Sequence, residues 1–276
     1  MRRIALGTAL LLAPACGEEE EAEIRNGVVA ALSTTQDGSL QRASELSFRD
    51  ESGETRAFSV GQLLNVELTA YRSSGLALNR SLAAAPSAPP VGQRAELLED
   101  DAINTGLDNP GRSSGLAFRF VTAEGIPSSI SNREGPDLFI FELGLTGGRR
   151  GDDSFAALPG DPLSLRGLGL DSDRSADLGS EAFARVGPEE RVDVERFSNV
   201  APEDPASPVL SLDELERVSL QSLGRSALDL YAIAVDLDDL GYAPDESVQG
   251  FEILRFDGNQ SPDPCLILGI PDTVSR

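Results

Sequence analysis

The chain has 276 residues, of which 46 are Asp or Glu and 23 are basic, and all 23 basic residues are Arg because Lys and His do not occur. A formal charge of -23 and a sequence pI of about 4.3 argue against nucleic-acid binding, since phosphate backbones repel such a chain. With no His and only 2 Cys, the common zinc and iron sites lack ligands, and Ser-His-Asp or Cys-His mechanisms lack a base. Paired carboxylates remain open as catalysts. A 29.2 kDa chain that is 40% hydrophobic fits one or two domains and can bury a core without a disulfide.

The first residues have the order of an export signal. Arg2 and Arg3 precede an apolar run, Ile4 to Ala13, followed by Pro14, Ala15 and Cys16. Charge, apolar core and small residues in that order predict a secretory signal peptide over residues 1–15. The run is shorter than the roughly 20 helical residues that span a bilayer, so it reads as a removed address. Two processing routes converge on the Ala15–Cys16 bond. An A-x-A site ends at Ala15, and Cys16 resembles the lipidated cysteine of bacterial lipoproteins, with Ala13 where that pattern usually has Leu. Lipidation would tether the chain to a membrane face, the one membrane contact expected. Plain cleavage would release it. Either way Arg2 and Arg3 are lost, which takes the charge from -23 to -25. Residues 16–26, with the Glu18 to Glu21 run, read as a solvated acidic spacer.

Beyond the spacer the pattern is short apolar alternation broken by Gly, Pro, Asp and Asn. Residues 27–84 form an N-terminal β region, either separate or part of the same sandwich as the rest. Within it Leu46-Ser47-Phe48 and Ala57-Phe58-Ser59-Val60 flank a polar loop as in a hairpin. Leu64, Val66, Leu68 and Ala70 form one face of the next strand. Ala83 to Pro90 is the linker candidate, because its prolines cannot serve a central strand. A β-sandwich domain is expected over 91–276. Leu116, Phe118 and Phe120 alternate with Ala117 and Arg119, whereas Leu138 to Leu143 is apolar on both faces until Glu142 and reads as a central strand. Ser211-Leu212-Asp213-Glu214 has capping-box spacing and predicts one short helix or turn. Tyr231, Ile233, Val235 and Leu237 share a strand face, and Phe251–Phe256 and Cys265–Ile270 follow. Cys265 reads as a small buried hydrophobe. The alternative, a Cys16–Cys265 disulfide, would pin a spacer whose composition is that of a mobile segment. Together these runs predict an all-β antiparallel sandwich with at most one short helix after the signal peptide.

Several stretches resemble a known group. Gly135-Pro136-Asp137-Leu138-Phe139-Ile140-Phe141-Glu142 is similar to a strand motif of secreted bacterial surface proteins of the exosortase or PEP-CTERM-associated type. Ala232 to Gly241, Ser247 to Ile253, Asp263 to Ile267 and Ile103 to Leu107 resemble other parts of those proteins, over about residues 93 to 270. The resemblance implies a jelly-roll-like or galactose-binding-like β-sandwich with a surface or matrix role and no established chemistry. The end, Pro271 to Arg276, lacks that group's apolar sorting helix and basic tail, so Cys16 would have to supply any anchor.

Candidate sites follow from the acids. From residue 226 onward there are ten acids against Arg255 and Arg276, and the densest group is Asp236, Asp238 and Asp239 after a strand. Hard oxygen ligands suit Ca²⁺, and an extended chain would point Asp236 and Asp238 to one side. The competing reading is a strand end whose Asp side chains cap turn amides. Asp137 and Glu142, five residues apart on one strand, would lie roughly 16 Å apart on opposite faces, too far to act as a glycosidase pair. Asp152-Asp153 and Asp171-Ser172-Asp173 read as loop tips, and Arg149-Arg150 as an exposed turn or an anion grip. The expectation is thus an exported, non-catalytic cell-surface or matrix protein with a structural or adhesive role. Its partners would be a cell-surface polysaccharide or protein, with no cofactor other than Ca²⁺. A calcium-assisted carbohydrate-binding module is the alternative, and a carboxylate-based glycoside hydrolase or lyase comes third.

Overall fold

A computed structural model describes residues 22–23, 28–38, 40–49, 52–72, 77–81, 101–107, 115–144, 164–168, 174–177, 184–186, 191–198, 211–215, 220–254 and 264–274. The expected signal peptide, Cys16 and the Ala83–Pro90 linker lie outside these residues, as do Arg149-Arg150, Asp152-Asp153 and Asp171–Asp173.

Strand alternation builds the first sheet. β1 (Ala22–Glu23), β2 (Val29–Asp37), β3 (Leu40–Arg49) and β4 (Thr55–Ser59) are antiparallel and neighbours in that order. Leu46, Phe48 and Phe58 turn inward, while Glu45, Arg49 and Ser59 face solvent. Leu46 pairs with Phe58, which is the hairpin expected from the sequence, except that Val60 leaves the strand for a 3₁₀ turn, Val60–Gln62. β2 was not expected. It meets β3 with Asp37 opposite Leu40, and Gly38 takes φ 61°, the left-handed conformation that so short a hairpin needs.

The central sheet explains the most apolar part of the sequence. β10 (Leu138–Gly144) lies between β18 (Pro264–Gly269) and β15 (Gln221–Val235), and the order continues through β14 (Val192–Ser198), β6 (Ala77–Ser81) and β7 (Gly106–Leu107). β13 (Ala184–Arg185) also pairs with β15. All seven residues of β10 are buried. Leu138 and Ile140 join Tyr231, Ile233, Val235 and Ile267 in one core. Phe139, Phe141 and Leu143 join Leu230, Ala232, Ala234, Leu266 and Leu268 in another. One sheet with both faces covered reads as a continuous apolar run, because neither face needs polar residues.

Each core is closed by a different layer. The second core is covered by the first sheet, where the Phe48 and Phe139 rings lie 5.2 Å apart. The first core is covered by a five-stranded sheet in the order β12 (Arg174–Asp177), β11 (Ser164–Leu168), β17 (Gly250–Leu254), β8 (Gly115–Val121), β5 (Asn65–Arg72). Phe251 sits between Phe118 and Phe120, with ring centroids at 5.4 and 5.7 Å. Burying each such ring contributes about 2–3 kcal/mol, on top of the many Leu, Ile and Val side chains of the first core. The architecture is an antiparallel all-β sandwich of three stacked sheets. The central sheet also curls: Gly106 of its last strand packs so tightly on its first that a Cβ there would lie 2.7 Å from the Cys265 Cα. A small ribbon pairs β9 (Ile130–Ser131) with β16 (Ser247–Val248).

Local details depart from simple alternation. A bulge in β5 between Leu68 and Ala70 shifts the phase, so Tyr71 enters the core and Ala70 is exposed. The sequence placed Ala70 inward because a bulge leaves no period-two signal. Among the described residues the one α-helix is α1 (Leu212–Leu215), where the Ser211 N–H and hydroxyl donate to the Glu214 carboxylate at 2.7 and 2.8 Å. This is the capping signal read from the sequence. No helix among the described residues is long and apolar enough to cross a membrane.

Candidate functional site

The calcium candidates sit where β15 ends, but the chain there is not extended. After Val235 it turns into a 3₁₀ helix, Leu237–Leu240, with Asp236 as its N-cap. The Asp236 carboxylate accepts the Asp238 N–H at 2.9 Å, and Gly241, at φ 77°, returns its N–H to the Asp238 carbonyl at 2.8 Å. Leu237 and Leu240 are buried. Three residues apart on one 3₁₀ turn, they face the same core, the first, and the turn means that Asp236 and Asp238 do not share one side of a strand. The Asp238 carboxylate accepts from the Asn132 amide at 2.7 Å. Among the described residues, no three Asp, Glu or Cys side chains group as a metal ion would need. Replacing Asp236 by Ala is expected to cost about 1 kcal/mol, the usual worth of an N-cap, read as a lower urea midpoint. An unchanged midpoint would show that the cap carries no load.

Asp137 anchors the same end of the sandwich from inside. It is wholly buried and its carboxylate accepts the Arg133 N–H at 3.3 Å and the Leu237 N–H at 3.0 Å. Its own N–H and carbonyl bond Val235 and Ile270, so one residue ties the starts and ends of three central strands. Asn132, also buried, donates to the Tyr242 carbonyl at 2.7 Å. Nearby, Asp272 accepts from the Ser131 hydroxyl at 2.8 Å and pairs with Arg133 at 3.4 Å. Asp245 adopts φ 65°, which Asp tolerates better than most residues, and donates its N–H to the Asn132 carbonyl.

Glu142 is buried towards the far end of β10, beside a second group of polar residues on β13 and β15. It stands opposite Tyr231 on β15, and alternation turns both toward the first core. Asp229 is two residues from Tyr231 on the same face, so Glu142 and Asp229 are diagonal neighbours about 7–8 Å apart. Asp137 lies just before β10 and Glu142 within it, and Asp229 is the acid that the β10–β15 register sets diagonally from Glu142. Glu142 is 1% exposed and Asp229 2%, so both meet protein rather than a polysaccharide. The guanidinium groups of Arg185 and Arg191 approach Asp229 at 3.5 and 3.7 Å. Removing one arginine leaves the other; removing both would leave a buried carboxylate uncompensated, which is the costly case.

Burial raises the Tyr231 hydroxyl pKa above 10.0, and Asp229 raises it further against the opposing pull of Arg185 and Arg191. A folded-state pKa above the unfolded one means that Tyr231 contributes stability below pH 10, and this stability is lost as pH rises beyond 10 through the folded value. The Tyr231→Phe variant is expected to lose part of the alkaline fall in thermal midpoint. Superimposable midpoint-against-pH curves for the two proteins would contradict that assignment.

Asn132, Asp229, Arg185 and Arg191 were not singled out in the sequence. Asp229 was legible as a lone acid within Ala227-Leu228-Asp229-Leu230-Tyr231, in phase with the core face. Asn132 and the two arginines carry no such signal, because their partners are distant in the chain. Cys265 is buried and its thiol donates to the Phe141 carbonyl at 3.4 Å, as a small core residue. The chain matches none of the family models, curated proteins or solved structures with which it was compared.

Proposed function

We propose an exported, non-catalytic cell-surface or matrix protein, tethered by a lipidated Cys16 and serving a structural or adhesive role. The observation that carries this reading is the leader pattern: Arg2-Arg3, a largely apolar run from Ile4 to Ala13 and a small-residue stretch ending at Cys16. A sandwich with two closed cores supports it, as does the internal use of the acids: Asp137 bonds two amides, and Asp229 meets two arginines. Ala22 and Glu23 of the expected spacer belong to β1, so the Glu18 to Glu21 run ahead of it is what holds the domain off anionic headgroups. Expressed in a bacterial host, the protein is expected to take up labelled fatty acid, and globomycin is expected to block its processing. A soluble product beginning at an unmodified Cys16 would overturn the anchor.

A second reading is a calcium-assisted carbohydrate-binding module at Asp236, Asp238 and Asp239. It draws support from Asp238, which is exposed at the loop end of the sandwich. A cation there would have to compete with the Asn132 amide for one carboxylate oxygen. A higher thermal midpoint at millimolar calcium, absent in Asp238→Asn, would favour this reading, and an unchanged midpoint would remove it.

A further inference from the structure

We draw no further inference here: the strongest candidate, the acidic side-chain cluster of Asp236, Asp238, Asp239 and Asp245 around buried Asn132 at the loop end of the sandwich, is engaged in its own turn and hydrogen bonds, and nothing in the structure points to a ligand there.

Discussion

Replacing Asp137 by Ala is expected to destabilise the protein by about 3–4 kcal/mol. The carboxylate is wholly buried and accepts two main-chain N–H groups, one of them, on Leu237, itself buried. A hydrogen bond to a charged acceptor is worth about 1.5–3 kcal/mol, and a buried donor left without a partner costs about 1–3 kcal/mol. The loss spreads because the two amides belong to different segments: one precedes β10 and the other opens the 3₁₀ turn after β15. Asp137→Asn keeps a carbonyl oxygen and the shape, so it should lose less than the Ala variant. Urea unfolding with an unchanged slope measures both. Equal midpoints for wild type and Asp137→Ala would mean that the carboxylate does not hold these loops.

An effect at least as large is expected from Gly250→Ala. A Cβ at Gly250 would collide with the Phe118 carbonyl oxygen and lie 2.8 Å from the Arg119 Cα. Both obstacles are main chain of β8, the paired neighbour of β17, so no rotamer change relieves them. Overpacking ordinarily costs about 1–3 kcal/mol, and parting two paired strands should reach about 4 kcal/mol. For a domain of this size that is a fall of about 10 °C in thermal midpoint. Gly115→Ala is the control, since its Cβ would meet only the Glu252 Oε1 at 3.4 Å, the far end of a side chain. If Gly250→Ala unfolded at the wild-type temperature, the close approach of β17 to β8 would be wrong.

Strand existence was largely legible. The alternations at Leu46–Phe48, Leu116–Phe120 and Phe251–Ile253 became strands whose apolar residues point inward. The two-sided run Leu138–Leu143 became the strand with a neighbour on each edge and a core on each face. Alternation is a local consequence of the pleat, so it survives in the sequence. Three things did not. β2 was missed because Ser33, Thr34, Thr35 and Gln36 make half of it polar where it runs past the core. The β5 bulge was missed because one extra residue leaves no periodic trace. Leu237 was read as the last residue of a strand face, whereas it is buried from within a turn that Asp236 caps.

The candidate sites divide along the same line. Residue types alone excluded histidine and lysine chemistry, carried the expectation of a leader ending before Cys16, and marked the acids around Asp236. They also carried both readings of that loop, because an Asp that ligates calcium and an Asp that caps a turn look alike in a sequence. Tertiary contacts decided what each acid touches. Asp236 bonds its own turn, Asp238 meets Asn132 across 106 residues, Asp137 meets Leu237 across 100, and Asp229 meets Arg185 and Arg191. Chemistry and strand phase are written residue by residue, so the sequence by itself determined an acidic, all-β chain. The partner of a buried carboxylate lies on a strand distant in the chain, and only the stacking of three sheets decided which acids are spent inside the protein and which remain at its surface.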